Sequence, residues 1–214
     1  MRAPLTSLVL VQDEELTLPD KRAESSAPLH PIIAERWSPR ALEPDAVVTD
    51  QQLRALLEAA RWAASYGDTQ PARYLVGRRG DETFQRIHGV LTGGNQTWAH
   101  AASVLMLGVA VTRNAKGDVP YAEYGMGLAT QNLVLQAVAE GLVAHQMAGF
   151  DPAAARTEFD LPEIARPMIV IAVGVLGHPS LLIERRRARE VAARTRLGLD
   201  EIAFGGEWGV PLFR

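Results

Sequence analysis

The chain has 214 residues, 47% of them hydrophobic and 22% charged, which suits one domain with a sizeable core, or one domain plus arms. A formal net charge of −3 argues against a general nucleic-acid binder, which would normally be basic. With no cysteine, the chain has no disulfides, thiolate metal sites, dithiol relays or cysteine nucleophiles, so redox chemistry would need a bound cofactor.

From the N-terminus, Leu8-Val9-Leu10-Val11 is apolar but too short for a signal peptide, and acids follow it. No apolar stretch is long enough to span a bilayer, and a cytoplasmic location is expected. Residues 1–29 read as an arm with one strand candidate. The domain proper spans 30–179. Pro31 suits the first turn of a short helix through Ala34. Thr49 and Gln52 form a capping box, and Leu53, Leu56, Leu57, Ala60 and Ala64 follow at helical spacing, so the helix should end near Ala64. Residues 65–71 are a polar loop. A strand is expected at 73–77 and a helix at 81–91, closed by a turn at Gly93-Gly94-Asn95. A continuous apolar strand should cover 103–111. The longest helix, 121–140, should end at Gly141, a C-cap glycine. A short strand at 143–148, a helix from Asp151-Pro152 to Phe159 and a core strand at 168–176 follow. Residues 180–214 read as an arginine-rich extension with too few apolar residues for its own core. About four clear strands and long helices imply an α+β sheet with helices packed on it.

Four segments carry candidate chemistry. Arg36, Ser38 and Arg40, in Arg36-Trp37-Ser38-Pro39-Arg40, bring two guanidiniums and a hydroxyl that can surround a phosphate, provided that the segment stays helix-like. The same pattern also fits a solvated turn. Ser65, Asp68 and Gln70, in the 65–71 loop, suit the edge of a heterocycle, or a loop held by its own side chains. Met147-Ala148-Gly149 lets backbone approach a flat ligand, or simply turns from strand to helix. Arg194 and Arg196 face one way if that segment is extended, whereas the run Arg185 to Arg189 reads as a solvated face. Lysines are confined to Lys21 and Lys116, so an anion site here relies on guanidinium groups. The five histidines show no metal-ligand spacing, and His145 reads as structural.

In this order the segments resemble the nitroreductase-like family of FMN proteins, from about His30 to His178 and weakly on to Trp208. The resemblance rests on Arg36-Trp37-Ser38-Pro39-Arg40, the helix Leu53 to Ala63, Gln70-Pro71, Gly127 to Leu133 and Ala148 to Pro152. It implies a nitroreductase-like fold with a central, mostly antiparallel sheet flanked by helices, and a homodimer that exchanges arms. It also implies FMN sites built from both chains. By that implication Arg36, Trp37, Ser38, Pro39 and Arg40 hold FMN, and Ser65, Asp68 and Gln70 lie near its ring or ribityl chain. Met147, Ala148 and Gly149 line the flavin, and Arg194 and Arg196 close over the phosphate from a C-terminal extension that wraps the partner subunit.

The implied activity is ping-pong hydride transfer from NADH or NADPH, through FMN, to a small acceptor such as a nitroaromatic or quinone. Alternatives are a flavin-binding protein without turnover and an oxygen-using flavin enzyme on the same scaffold. Three departures bear on this. Asp68 stands where Asn is usual and, ionised, cannot donate a hydrogen bond. Ala72 stands where an aromatic is frequent, which enlarges a pocket. Ala148, often Glu in some members, makes the substrate face less charged.

Overall fold

The computed structural model describes residues 20–213. The strand candidate in the N-terminal arm lies outside them. Helix α1 (Pro31–Glu35) is capped by the His30 side chain, with proline at its start. It stops at Arg36, whose backbone is extended. Helix α2 (Asp50–Arg61) begins with the expected Thr49/Gln52 capping box, both bonds formed. It ends at Arg61 rather than near Ala64, because the Trp62 N–H is shared between the carbonyls of Glu58 and Ala60 and the last turn tightens.

Strand β1 (Ala72–Arg78) leads to helix α3 (Glu82–Gly89), which the Asp81 side chain caps. Gly77 is required where they meet, since a Cβ there would lie 2.2 Å from the Phe84 amide nitrogen. The expected turn at Gly93-Gly94-Asn95 is instead the first turn of helix α4 (Gly93–Ala99). Local propensity favours a turn, but burial of Trp98 and Ala99 in the core favours the helix.

Strand β2 (Val104–Val111), a short ribbon of β3 (Arg113–Asn114) and β4 (Gly117–Asp118), and helix α5 (Ala122–Ala139) follow. Gly141 ends α5 with φ of 71°. The amides of Gly141 and Leu142 bond back to Val138 and Ala137, so the last carbonyls are satisfied. Then come β5 (Val143–Met147), α6 (Pro152–Glu158), β6 (Ala165–Gly174), α7 (Glu184–Val191) and α8 (Leu199–Ile202).

The main sheet has the order β1-β2-β6-β5, and every pairing in it is antiparallel. This is the α+β architecture expected from the sequence. Its two central strands are covered on both faces. Along β2, Val104 and Met106 pack with Leu56 of α2 and Leu133 of α5. Leu105 and Leu107 point the other way, against Phe84 of α3, Trp98 of α4 and Ala155 of α6. Period-two alternation between two buried faces is why β2 reads as an unbroken apolar run.

Beyond the end of β6 the chain pairs with the segment after α1. Glu43 N–H donates to the Val175 carbonyl at 3.0 Å, and Gly177 N–H donates to the Ala41 carbonyl at 2.9 Å. These bonds hold residues 36–43 beside the sheet.

Candidate functional site

Arg36, Trp37, Ser38 and Arg40 line one cavity of about 210 Å³ together with Arg194 and Arg196. The helix-like geometry expected for residues 36–40 does not occur. The backbone of Arg36 is extended, and α1 does not continue past Glu35 into residues 36–40. Leaving the helix, the segment brings Arg36, Trp37, Ser38 and Arg40 to one cavity, while Pro39 stays out of its lining. Residues 193–198 are likewise non-helical, which brings Arg194 and Arg196 to the same space, as their spacing suggested.

The cavity is crowded with positive charge. Burial lowers the Arg36 pKa below its ordinary value, and Arg194 and Arg196 lower it further. Arg194 is lowered by burial first and then by Arg196. Guanidiniums that destabilise one another across a small cavity form a seat for an anion, which relieves both effects. Arg36 Nη1 also donates to Ser38 Oγ at 3.2 Å, leaving the hydroxyl hydrogen available to a ligand.

Pro39 and Trp37 differ in role. Pro39 is buried and does not line the cavity. Its carbonyl accepts a 2.8 Å hydrogen bond from Nδ1 of His145, a buried residue of β5 whose ring lies 4.7 Å from that of Trp98. Burial lowers the His145 pKa to about 4. Its hydrogen bond to Pro39 opposes this, and the charges of Arg40 and Arg36 reinforce it. His145 is therefore a neutral anchor for the arginine segment. Trp37 lines the cavity and carries the Lys21 ammonium over its ring, 5.2 Å from the centroid.

Five residues outside the sequence-predicted set also line this cavity: Lys21, Arg189, Glu190, Ala192 and Ala193. Lys21 is buried, and its ammonium donates to the Ala192 carbonyl. Arg194 Nη1 donates to the carbonyls of Lys21 at 2.6 Å and Ala34 at 3.1 Å. Residues 20–23 of the expected arm are thus fastened to their own chain, where the Ala23 amide also bonds the Ala34 carbonyl. The arginine run is no simple solvated face either. Arg186 donates to the Gly94 carbonyl and to Thr97 Oγ1. Two signals pointed to the missed residues. Lys21 is a rare lysine in an arginine-biased chain, and Glu190 is the sole acid between Arg185 and Arg196.

Ala148 and Gly149 follow β5, outside the cavity lining, while Met147 is buried in the core. The Gly149 carbonyl accepts from Thr92 N–H, Thr92 Oγ1 and Asn95 Nδ2, each at 3.0 Å. A Cβ at Gly149 would sit 2.6 Å from Asn95 Nδ2. The turn is thus clamped onto the start of α4, and a side chain at 149 would have to displace the Asn95 amide from its bond to the carbonyl.

The loop 65–71 is elsewhere, at the α2 end of β1. Gly67, Asp68 and Gln70 all have left-handed backbone, at φ of 53°, 54° and 45°. Non-glycine residues hold that conformation at some cost, and here the loop's own bonds support it. Gln70 N–H donates to Ser65 Oγ at 3.0 Å, and Gln70 Nε2 donates to Asp68 Oδ1 at 2.8 Å. Asp68 is therefore paired with an amide rather than an arginine. Ser65, Gln70 and Ala72 line a second cavity of about 460 Å³, walled by Leu57, Ala60, Val76 and Ala129. The small side chain at 72 faces open space, as expected. Within one chain the structure does not bring this loop to the arginine cavity.

Comparison with known proteins gives a consistent picture. A 15.4 kDa protein from the ask 5′ region of Mycolicibacterium smegmatis, itself uncharacterised, is 42% identical over 151 residues, covering 65% of this chain and 99% of that protein. A Streptomyces coelicolor protein with the provisional name NADH dehydrogenase/NAD(P)H nitroreductase is 30% identical over 158 residues, covering 64% and 76%. Among solved structures, an oxidoreductase containing FMN superposes with a TM-score of 0.82 at 29% identity, covering 86% of this chain and 95% of that one. A Desulfovibrio desulfuricans nitroreductase-like protein in complex with FMN shares the fold, with a TM-score of 0.67 at 23% identity over 85% and 99% of the two chains. The model of the Nitroreductase family matches residues 33–92 and 78–175, so this chain belongs to the Nitroreductase family.

Proposed function

We propose that this chain is an FMN-dependent oxidoreductase that works as a homodimer, with NADH or NADPH as reductant and a small nitroaromatic or quinone as acceptor. The observation that carries the reading is the convergence of Arg36, Ser38, Arg40, Arg194 and Arg196 on one cavity of about 210 Å³. A phosphomonoester carries roughly −1.5 to −2 charge at pH 7 and three acceptor oxygens, which suits several guanidiniums and a hydroxyl. The donor set therefore fits the phosphate end of FMN.

FMN, when bound, supplies the hydride chemistry, with the nicotinamide and the acceptor using it in turn. The side chains bind and orient. Arg36, Arg40, Arg194 and Arg196 hold the phosphate. Arg40 also extends positive charge toward the β5 side of the cavity, as its effect on His145 indicates. Ala148 and Gly149, fixed by Thr92 and Asn95, offer backbone to the flavin ring. No side chain is assigned as an obligatory acid or base, and solvent supplies protons.

Ser65, Asp68 and Gln70 join this site in the proposed dimer, where the loop of one subunit meets the arginine cavity of the other. Exposed apolar side chains support such an assembly: Trp62 on the α2 side, Tyr124 on α5, and Leu212, Phe213 and Trp208 in the tail, the last of these 92% exposed. The C-terminal extension is proposed to wrap the partner subunit. Arm exchange and a cytoplasmic location belong to the same reading.

The test is the absorbance spectrum of the purified protein, followed by anaerobic reduction with NADH and NADPH separately. The expected result is a yellow protein that bleaches with at least one nicotinamide and recolours with a quinone. A colourless protein whose melting temperature FMN does not raise refutes the reading. A yellow protein that neither nicotinamide bleaches is a flavin binder without this turnover.

A further inference from the structure

Glu190 lies 1% exposed at the C-terminal end of α7, amid the cations of the cavity. Among the lining residues it is the one acid, beside Lys21, Arg36, Arg40, Arg189, Arg194 and Arg196. Its Oε1 accepts the backbone N–H of Arg40 at 2.7 Å and of Ala41 at 2.9 Å. Its Oε2 is buried without a hydrogen-bond partner. Bonds from a charged acceptor to backbone donors are among the stronger ones, and these two span about 150 residues of chain.

A carboxylate inside an anion seat opposes the anion it is meant to help, unless its charge is offset. Lys21 offsets it. The two groups interact electrostatically, and the ammonium is held by the Ala192 carbonyl and the Trp37 ring. The pair is close to neutral, which leaves the arginines to set the potential. What Glu190 adds is geometry, since it fixes the main chain at the residue that bears one of the cradle arginines.

We propose that Glu190 is a positioning residue of the anion cradle, clasping the Arg40–Ala41 backbone so that Arg40 meets the ligand phosphate. This rests on reading the cavity as the seat of the FMN phosphate. The clasp ties α7, in the C-terminal extension, to the segment after α1. The extension thereby contributes to the cradle within its own chain.

The test compares FMN with riboflavin, which lacks the phosphate, by fluorescence quenching on the full-length protein. The variants are Glu190→Gln, which keeps a carbonyl acceptor at full reach; Glu190→Asp, which keeps the charge but falls short; and Glu190→Ala, which keeps neither. Wild type is expected to prefer FMN by about a hundredfold, as several charge-assisted bonds imply. The FMN-to-riboflavin preference should fall about tenfold or more in Ala and Asp, while Gln stays within about threefold of wild type. Riboflavin affinity should be unchanged throughout, which a merely structural role would not predict. A preference unchanged in Asp, or lost as fully in Gln as in Asp, overturns the proposal. Should the Ala variant fail to fold, the Gln and Asp pair decides.

The flavin reading is tested separately by thermal shift with inorganic phosphate. A wild type that phosphate stabilises but FMN does not refutes the flavin reading alone, and the variants are then ranked by their phosphate shifts. A wild type that responds to neither refutes both.

Discussion

Acid should release the arginine segment from its anchor through His145. Its pKa is lowered from 6.5 to about 4 in the folded protein, chiefly by burial. The folded state therefore refuses a proton that the unfolded chain accepts. Stability from this group is fully present above pH 6.5 and is lost as the pH falls toward about 4. The limit of the loss, set by those two values, is about 3 kcal/mol, and about 2 kcal/mol of it is gone by about pH 5. The assay is urea unfolding, followed by circular dichroism, between about pH 7.5 and about pH 5. Wild type is compared with His145→Gln, whose amide can still donate to the Pro39 carbonyl but does not titrate. The difference between the two proteins isolates His145 from carboxylates that titrate in the same range. Equal pH dependence in wild type and His145→Gln would refute the reasoning, because a buried, neutral histidine must contribute the difference.

Arg40→Ala should raise the FMN dissociation constant by roughly 10- to 100-fold, the worth of one charge-assisted contact, without an equal loss for riboflavin. Fluorescence quenching checks this, and full FMN occupancy with unchanged kinetics contradicts the assignment of Arg40. Gly149→Ala should destabilise the fold by about 1–3 kcal/mol, since its Cβ meets Asn95 Nδ2 and disturbs a carbonyl with three donors. A urea melt within experimental error of wild type would show that the turn relaxes freely. Ala72→Phe should fill part of the 460 Å³ cavity. If that cavity admits acceptors, KM should rise several-fold for a bulky quinone and stay constant for a small one, by the scale of pocket discrimination. Equal effects on both, in steady-state assays, would exclude the cavity from acceptor binding.

Much of the local structure was legible from residues close together in the chain. Thr49 and Gln52 marked a helix start, Asp151 and Pro152 another, and Gly141 a helix end, because caps are made by neighbours. The apolar run of β2 and the count of core strands were legible for the same reason. The order of motifs, from Arg36 to Arg196, also carried the family resemblance that the matching family model supports.

Tertiary packing decided the rest. The Gly93-Gly94 turn became a helix because Trp98 had a core to enter. The arginine segment met its partners in extended rather than helical form, held by His145 more than a hundred residues away. The loop 65–71 fell on a different part of the chain from the cradle. Glu190, hidden in an arginine run, turned out to be a buried clasp. Neighbours set dihedral preferences and caps, so those survive in any reading of the sequence. Which distant side chains share a cavity depends on how sheet and helices pack, and no local pattern encodes that.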